Sequence, residues 1–239
     1  MKLLDLTLDT PEENLALDEA LLETAEQTGQ PAEVLRLWES AQIAVVLGRS
    51  SRVADEVDCG YCRRHGIPIL RRTSGGSSVV IGPGCLMYAL VLSCELRPEM
   101  RAVGEAHRAV LGALSGALGA LVPGVGIQGI SDLAIGDRKF SGNSIRAKRK
   151  HLLYHGTLLY GFPLAQISAC LRLPARQPDY RRGRDHERFL INLPATGIQL
   201  RTALADAWQA REPLPRWPQS TMRKLIEAKY SKRAWNLRF

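Results

Sequence analysis

Hydrophobic positions along this chain switch between helical and strand spacing, and the switches mark its elements. Leu15, Leu22 and Ala25 share one helical face. They follow Thr10-Pro11-Glu12-Glu13, which supplies a capping residue, a proline at the first helical position and a glutamate at the third. The pattern predicts a helix over 11–28. Val34–Trp38 and Ile43–Leu47 are β-favouring runs across a polar Glu39–Gln42 turn, predicting paired strands, with Gly48-Arg49 closing the second. A helical stretch over 53–64 ends at Gly66, and strands over 67–72 and 86–92 flank a Gly/Ser-rich loop. Ala102–Leu121 reads as a long central helix stopped by Pro123-Gly124, its glycines predicting close packing. Ser131–Ile135, a Gly136-Asp137 turn, Lys139–Ile145, a basic run and His151–Tyr160 predict a strand meander. Helices are expected near 164–171, 199–210 and 219–230, separated by an Arg/Pro-rich stretch. Without strict βαβ alternation, the mixture predicts an α+β or mixed-sheet α/β layer fold rather than a doubly wound sheet.

Composition narrows the class. The 239 residues are 45% hydrophobic and 23% charged, enough to bury a full core. No apolar run reaches the roughly 20 residues that cross a bilayer, and Met1–Asp5 lacks a signal-peptide core, so a cytoplasmic, non-membrane protein is expected. Five cysteines, an odd number, argue for reduced thiols. The net charge of +8 favours an acidic partner: nucleic acid, nucleotide phosphates or an acidic protein surface.

Three segments carry candidate chemistry. Arg71–Ser78 sets two cations at a strand end beside a loop whose N–H groups and hydroxyls suit a phosphate. Read alone it is equally a glycine-rich turn with solvated arginines, and it is neither a Walker A motif nor GxGxxG. Lys139, just past a tight turn, can present its ammonium to a phosphate or carboxylate, although a lone lysine is ordinarily a surface residue. His155 heads an apolar strand and by itself reads as a structural histidine more readily than as a general base.

Taken together, RRTSGG (Arg71–Gly76), DLAIGDRKFSGN (Asp132–Asn143) and HGTLL (His155–Leu159) resemble the lipoate–protein ligase A family of the biotin/lipoate ligase superfamily. The resemblance extends to Leu37-Trp38 with Val45–Arg49, and to Lys229-Tyr230 with Trp235-Asn236, covering most of the chain. It implies a single catalytic domain over 1–239 with a class II synthetase-like α/β (α+β) fold, a mixed sheet flanked by helices. It implies a nucleotide loop of Arg72, Gly75, Gly76, Ser77, Ser78, Val79 and Val80, a catalytic Lys139, and Asp132, Ser141, Gly142 and His155 in the same site. ATP, Mg²⁺ and lipoate are the implied co-reactants, with Asp132 a candidate carboxylate for the metal. Lipoyl-AMP would form and pass its acyl group to a lysine of a lipoyl-domain acceptor. Joining a carboxylate to an α-phosphate brings two anions together, so fixed cations and backbone donors suit the reaction.

Ser77 replaces the third glycine of the family's loop, and Ile81-Gly82-Pro83-Gly84 stands where many relatives carry an aromatic or histidine–acidic pair. The chain ends soon after Trp235-Asn236, whereas many bacterial ligases continue into an accessory domain, so a separate accessory subunit is one expectation. An octanoyltransferase of the same superfamily is the nearest rival, but thioester exchange needs a reactive cysteine, and Cys85 heads an apolar strand. Cys59, Cys62 and His65 make only half a zinc site. The basic runs Arg146–Lys150 and Tyr180–Arg184 allow a nucleic-acid-binding module, the less favoured class; within the ligase reading they steer an acidic acceptor or cover the adenylate.

Overall fold

The computed structural model describes residues 1–239. In chain order the elements are β1 (Lys2–Asp5), α1 (Pro11–Thr28), β2 (Val34–Trp38), β3 (Ala44–Leu47), α2 (Val53–Glu56), α3 (Cys59–Arg64), β4 (Ile69–Arg71), β5 (Val79–Ile81) and β6 (Cys85–Ser93). There follow α4 (Val103–Leu121), β7 (Val125–Gln128), β8 (Asp132–Ile135), β9 (Arg138–Ala147), β10 (His151–Leu159), α5 (Leu164–Cys170) and α6 (His186–Phe189). Last come α7 (Gly197–Ala207), β11 (Glu212–Pro213), α8 (Gln219–Leu225), which a π-turn continues to Tyr230, and α9 (Arg233–Asn236).

Eight strands form one mixed sheet in the order β11-β1-β2-β6-β10-β9-β8-β7, and β4-β3-β5 form a separate three-stranded sheet. The class is the one expected, a mixed sheet between helical layers. β6 shows why its sequence, CLMYALVLS, is apolar throughout: period-two alternation sends Cys85, Met87, Ala89 and Val91 into one core and Leu86, Tyr88, Leu90 and Leu92 into the other. α1 covers the first face with the small sheet, and α4 and α7 cover the second. The α1 N-terminus carries the anticipated capping box, Thr10 and Glu13 satisfying each other's backbone donors.

Three expectations fail. The helix expected over 53–64 is broken at Val57-Asp58, where Val57 bridges to Leu171 and Asp58 caps α3. β2 and β3 are not paired; β2 lies between β1 and β6, whereas β3 lies between β4 and β5. The Glu39–Gln42 turn is instead a crossing between sheets, closed locally by Ser40 Oγ donating to Gln42 O at 2.6 Å. The glycines of α4 also do not admit a close neighbour: Gly104, Gly112, Gly116 and Gly119 all face open space. Its packing comes from Ala106, Val110, Leu111, Leu114 and Leu118. No helix is long and apolar enough to cross a membrane.

Candidate active site

The cleft lies between the small sheet and β8–β10, and it has two arms. Both are lined by Ser77, Ser78, Val79, Lys139 and Thr157. One arm is floored by Leu15, Val46 and Met87, with Arg72, Gly76, His155 and Gly156 around it. The other is a slot of ≈ 810 Å³, counted to its open mouth, lined by Val80, Phe140, Leu171, Phe189 and the buried Arg181, with the exposed Arg172 and Arg176 also in its lining. Strand alternation accounts for part of this: on β10, His155 and Thr157 share the face of Leu153 and Leu159, the face turned toward α1 and the small sheet.

Two close backbone approaches shape the first arm. A Cβ on Gly48 would fall 1.7 Å from Gly76 O, so only glycine lets β3 and the loop meet. A Cβ on Gly156 would fall 1.9 Å from Asn143 Oδ1.

Arg72 is buried, and every hydrogen bond it makes goes to the small sheet or its own loop. Its Nε donates to Ser74 Oγ at 3.0 Å, Nη1 to Val46 O at 3.2 Å, and Nη2 to Gly75 O and to Ser77 O, the latter at 3.0 Å. No carboxylate bonds it, and burial brings its pKa down to about 10. The loop is therefore wrapped around a cation and faces the cleft with positive potential. Further along the loop, Ser78 meets a carboxylate: its N–H and Oγ both donate to Glu56 Oε2 at 2.7 Å.

Lys139 reaches the junction of the arms. Its ammonium pairs with Asp132 Oδ1 at 2.8 Å, and the Tyr180 hydroxyl donates to Asp132 Oδ2 at 2.7 Å. Burial, then the neighbouring Asp132, pushes the Tyr180 phenol up, which keeps it a donor. Gly142 leaves room for the lysine, since a Cβ there would sit 3.0 Å from Nζ. His155 Nε2 lies 2.5 Å from Ser74 Oγ, and its Nδ1 lies 3.6 Å from Asp18 Oδ2. Ser74 Oγ thus joins Arg72 Nε to His155 Nε2, while His155 Nδ1 is buried and faces Asp18 without a hydrogen bond. His155 thus orients the loop while lining the cleft.

The sequence-derived set is largely brought together: Arg72, Gly76, Ser77, Ser78, Val79, Val80, Asp132, Lys139, Gly142 and His155 all line the arms. Two do not. Ser141 is buried with its hydroxyl bonded to Asn143 Oδ1, and Gly75 contributes a carbonyl that accepts from Arg72 and from Ser144 Oγ. Arg71, paired with Arg72 in sequence, points the other way. Its guanidinium donates to Gly48 O at 2.7 Å, Ser51 O at 2.8 Å, Trp235 O at 3.1 Å and Arg238 O at 2.6 Å. The C-terminal motif is explained by the same seam, since Lys229 and the Tyr230 hydroxyl bond Glu19, which also accepts from Thr73.

Sequence reasoning did not reach Glu56, Thr157, Phe189 or Tyr180 as site residues. Thr157 carried a signal in the HGTLL motif, and Tyr180 carried one in its basic run. That run is a strap across β8–β9, with Arg184 paired to Asp137 at 3.0 Å and Arg181 packed on Phe189. The other run docks on the acidic face of α1, Lys148 pairing with Glu23 and the Lys150 N–H with Glu26.

Comparison with known proteins adds one decisive match. The family model of the lipoyl protein ligase A/B catalytic domain matches residues 10–194. The chain belongs to this family. Among members of the ligase family, a protein of Aeropyrum pernix provisionally named lipoate-protein ligase A is 31% identical over 66% of this chain and 56% of its own length. Lipoate-protein ligase A subunit 1 of Thermoplasma acidophilum is 25% identical over 97% of this chain and 95% of its own. The octanoyl-[GcvH]:protein N-octanoyltransferase of Kyrpidia tusciae is 31% identical over 62% and 57%. The chain spans about half the length of several curated relatives, 56% of the Aeropyrum protein and 45% and 46% of two Mycoplasma relatives.

Solved structures share the ligase family's fold along the whole chain. The bi-partite lipoate protein ligase of Thermoplasma acidophilum, described with its E2 lipoyl domain, superposes with a TM-score of 0.82 at 23% identity, covering 99% of this chain and 95% of that one. A lipoate-protein ligase A bound with ATP superposes with a TM-score of 0.81 at 22% identity, covering 99% and 98%.

Proposed function

We propose that this protein is an ATP-dependent lipoate–protein ligase. The observation that carries the reading is the convergence of the two arms on Lys139, beside a loop wrapped around the buried Arg72. The arm floored by Leu15, Val46 and Met87 offers an apolar bed to an acyl chain, with Gly76 and Gly156 adding no side-chain bulk beside it. The other slot, with Val80, Phe140 and Phe189 in its walls and the exposed Arg172 and Arg176 in its lining, suits a base and its phosphates.

In this reading the acyl carboxylate attacks the ATP α-phosphorus, pyrophosphate leaves, and lipoyl-AMP holds its carbonyl near Lys139. Lys139 and the loop N–H groups stabilise the charge that builds on the phosphate oxygens, and a neutral acceptor lysine then attacks the carbonyl and releases AMP. Mg²⁺, which favours few carboxylates and many phosphate oxygens, fits a site with the single carboxylate of Asp132 at the junction. Bound there it would neutralise phosphate charge, while Tyr180 orients the carboxylate.

The chemistry of the thiols favours the ligase over the transferase. No cysteine lines either arm. Cys85 is buried in β6, and burial pushes its thiol well above the ordinary range, away from a nucleophilic thiolate. The acceptor we propose is a lipoyl-type domain, with a second polypeptide required for its modification, as the bi-partite Thermoplasma relative suggests.

The test is pyrophosphate release from ATP with lipoate, octanoate and biotin compared, with and without a lipoyl-domain acceptor. Lipoate-dependent release with acceptor modification supports the ligase. Acyl transfer from a thioester donor without ATP would replace it with the transferase.

A further inference from the structure

Ser78 lines both arms of the cleft, yet both of its donors are spent on one carboxylate oxygen. Its N–H and its hydroxyl each lie 2.7 Å from Glu56 Oε2. One oxygen accepting a backbone N–H and the adjacent hydroxyl is also how a loop holds a phosphate oxygen. Glu56 itself lines the second slot, so its carboxylate stands inside the cleft beside the loop. Its charge also reaches the loop's cation: among the neighbouring charges it acts most strongly on the buried Arg72, opposing the effect of burial.

We infer that Glu56 is an intramolecular stand-in for a nucleotide phosphate, holding the Ser78 donors and facing Arg72 while the cleft is empty and giving way to the phosphates of ATP. The inference rests on the ATP-dependent reading above. A dianionic phosphate and a carboxylate cannot share the same two donors, and their mutual repulsion favours exchange.

The exchange needs only a side-chain rotation. α2 is held at both ends, Val53 N donating to Phe239 O at 3.2 Å and Glu56 O accepting from Arg172 N at 3.0 Å. The backbone therefore stays while the carboxylate swings out. In the empty protein the same contact keeps the loop in its ligand-ready shape, with the Ser78 donors already aligned. Nucleotide affinity is then set by competition, which a charge-neutral residue at this position relieves.

The experiment is calorimetric titration of ATP, and separately of inorganic triphosphate, into wild type, Glu56→Gln and Glu56→Ala at fixed Mg²⁺. Glu56→Ala is expected to bind both about tenfold more tightly than wild type, and Glu56→Gln to fall between, because its carbonyl still accepts from Ser78 without the charge. A merely structural Glu56 gives the opposite sign, weaker binding as the loop loses its support. Should wild type bind ATP while Glu56→Gln and Glu56→Ala bind it equally or less tightly, the inference falls and the ligase reading stands. Should none of the three bind ATP or triphosphate, both fall together.

Discussion

The Lys139 ammonium rests 2.8 Å from the Asp132 carboxylate, at the point where the two arms of the cleft meet. Each charge neutralises the other, and on the proposed ligase reading a phosphate would compete with Asp132 for the lysine. Partly exposed pairs of this kind contribute about 0–1 kcal/mol to stability. Lys139→Ala should therefore lower lipoate-dependent pyrophosphate release by about a thousandfold, with Tm shifted by no more than about 2 °C. Wild-type turnover in that variant would remove Lys139 from the mechanism.

Gly48 faces a harder constraint, because the oxygen of Gly76 occupies the place where its side chain would begin. Gly48→Ala must push β3 and the loop apart, at a cost of about 2 kcal/mol or more. Chemical denaturation should show that loss, and ATP binding should weaken with it; an unchanged midpoint would mean the loop relaxes freely.

Arg71 binds carbonyls from two distant stretches of the chain, 48–51 and 235–238. Arg71→Ala leaves those acceptors unpaired in a buried seam and is expected to destabilise by about 3 kcal/mol. Hydrogen exchange should report it as faster exchange at residues 233–239, ahead of the rest of the molecule. Uniform acceleration would point instead to global unfolding.

The strap has a pH dependence of predictable sign. Arg181 Nη2 donates to His186 Nδ1 at 3.3 Å, leaving Nε2 to donate to Arg172 O at 3.2 Å, so the neutral ring satisfies both nitrogens. Burial, then the Arg181 charge, holds its pKa below the ordinary 6.5. The unfolded chain then takes up the proton first as pH falls, so stability is lost from about pH 6.5 down to the lowered folded value. His107, also lowered by burial, adds a slope of the same sign. Thermal melts should fall across this window in wild type and less steeply in His186→Gln; parallel curves would exclude His186.

The helices and the strands of β6 and β8–β10 were legible because a single face or a continuous apolar run decides them locally. β2 and β3 misled because their apolar runs fit either of two sheets, and the choice is made by non-local pairing, β2 with β1 and β6, β3 with β4 and β5. β5 was hidden inside the glycine loop, its Val79 and Val80 reading as loop residues. Arg72, Lys139 and His155 stood out through the motif that orders them. Glu56 enters the site by tertiary placement, and nothing in its sequence neighbourhood distinguishes it from other polar residues on short elements, whereas Thr157 sat inside the HGTLL motif without being singled out. Arg71 shows the opposite error: the same residue type beside Arg72 turns to the far side, because successive strand residues face opposite ways.

The seam that joins β4 to residues 235–239 also orders events during synthesis. Arg71 leaves the ribosome long before its carbonyl partners at Trp235 and Arg238 exist, and Glu19 must wait similarly for Lys229 and Tyr230. Such non-local closures come late in folding. The loop that begins at the very next residue is thus set in place only after residues 235–238 have been made, which would delay completion of the cleft in a nascent chain.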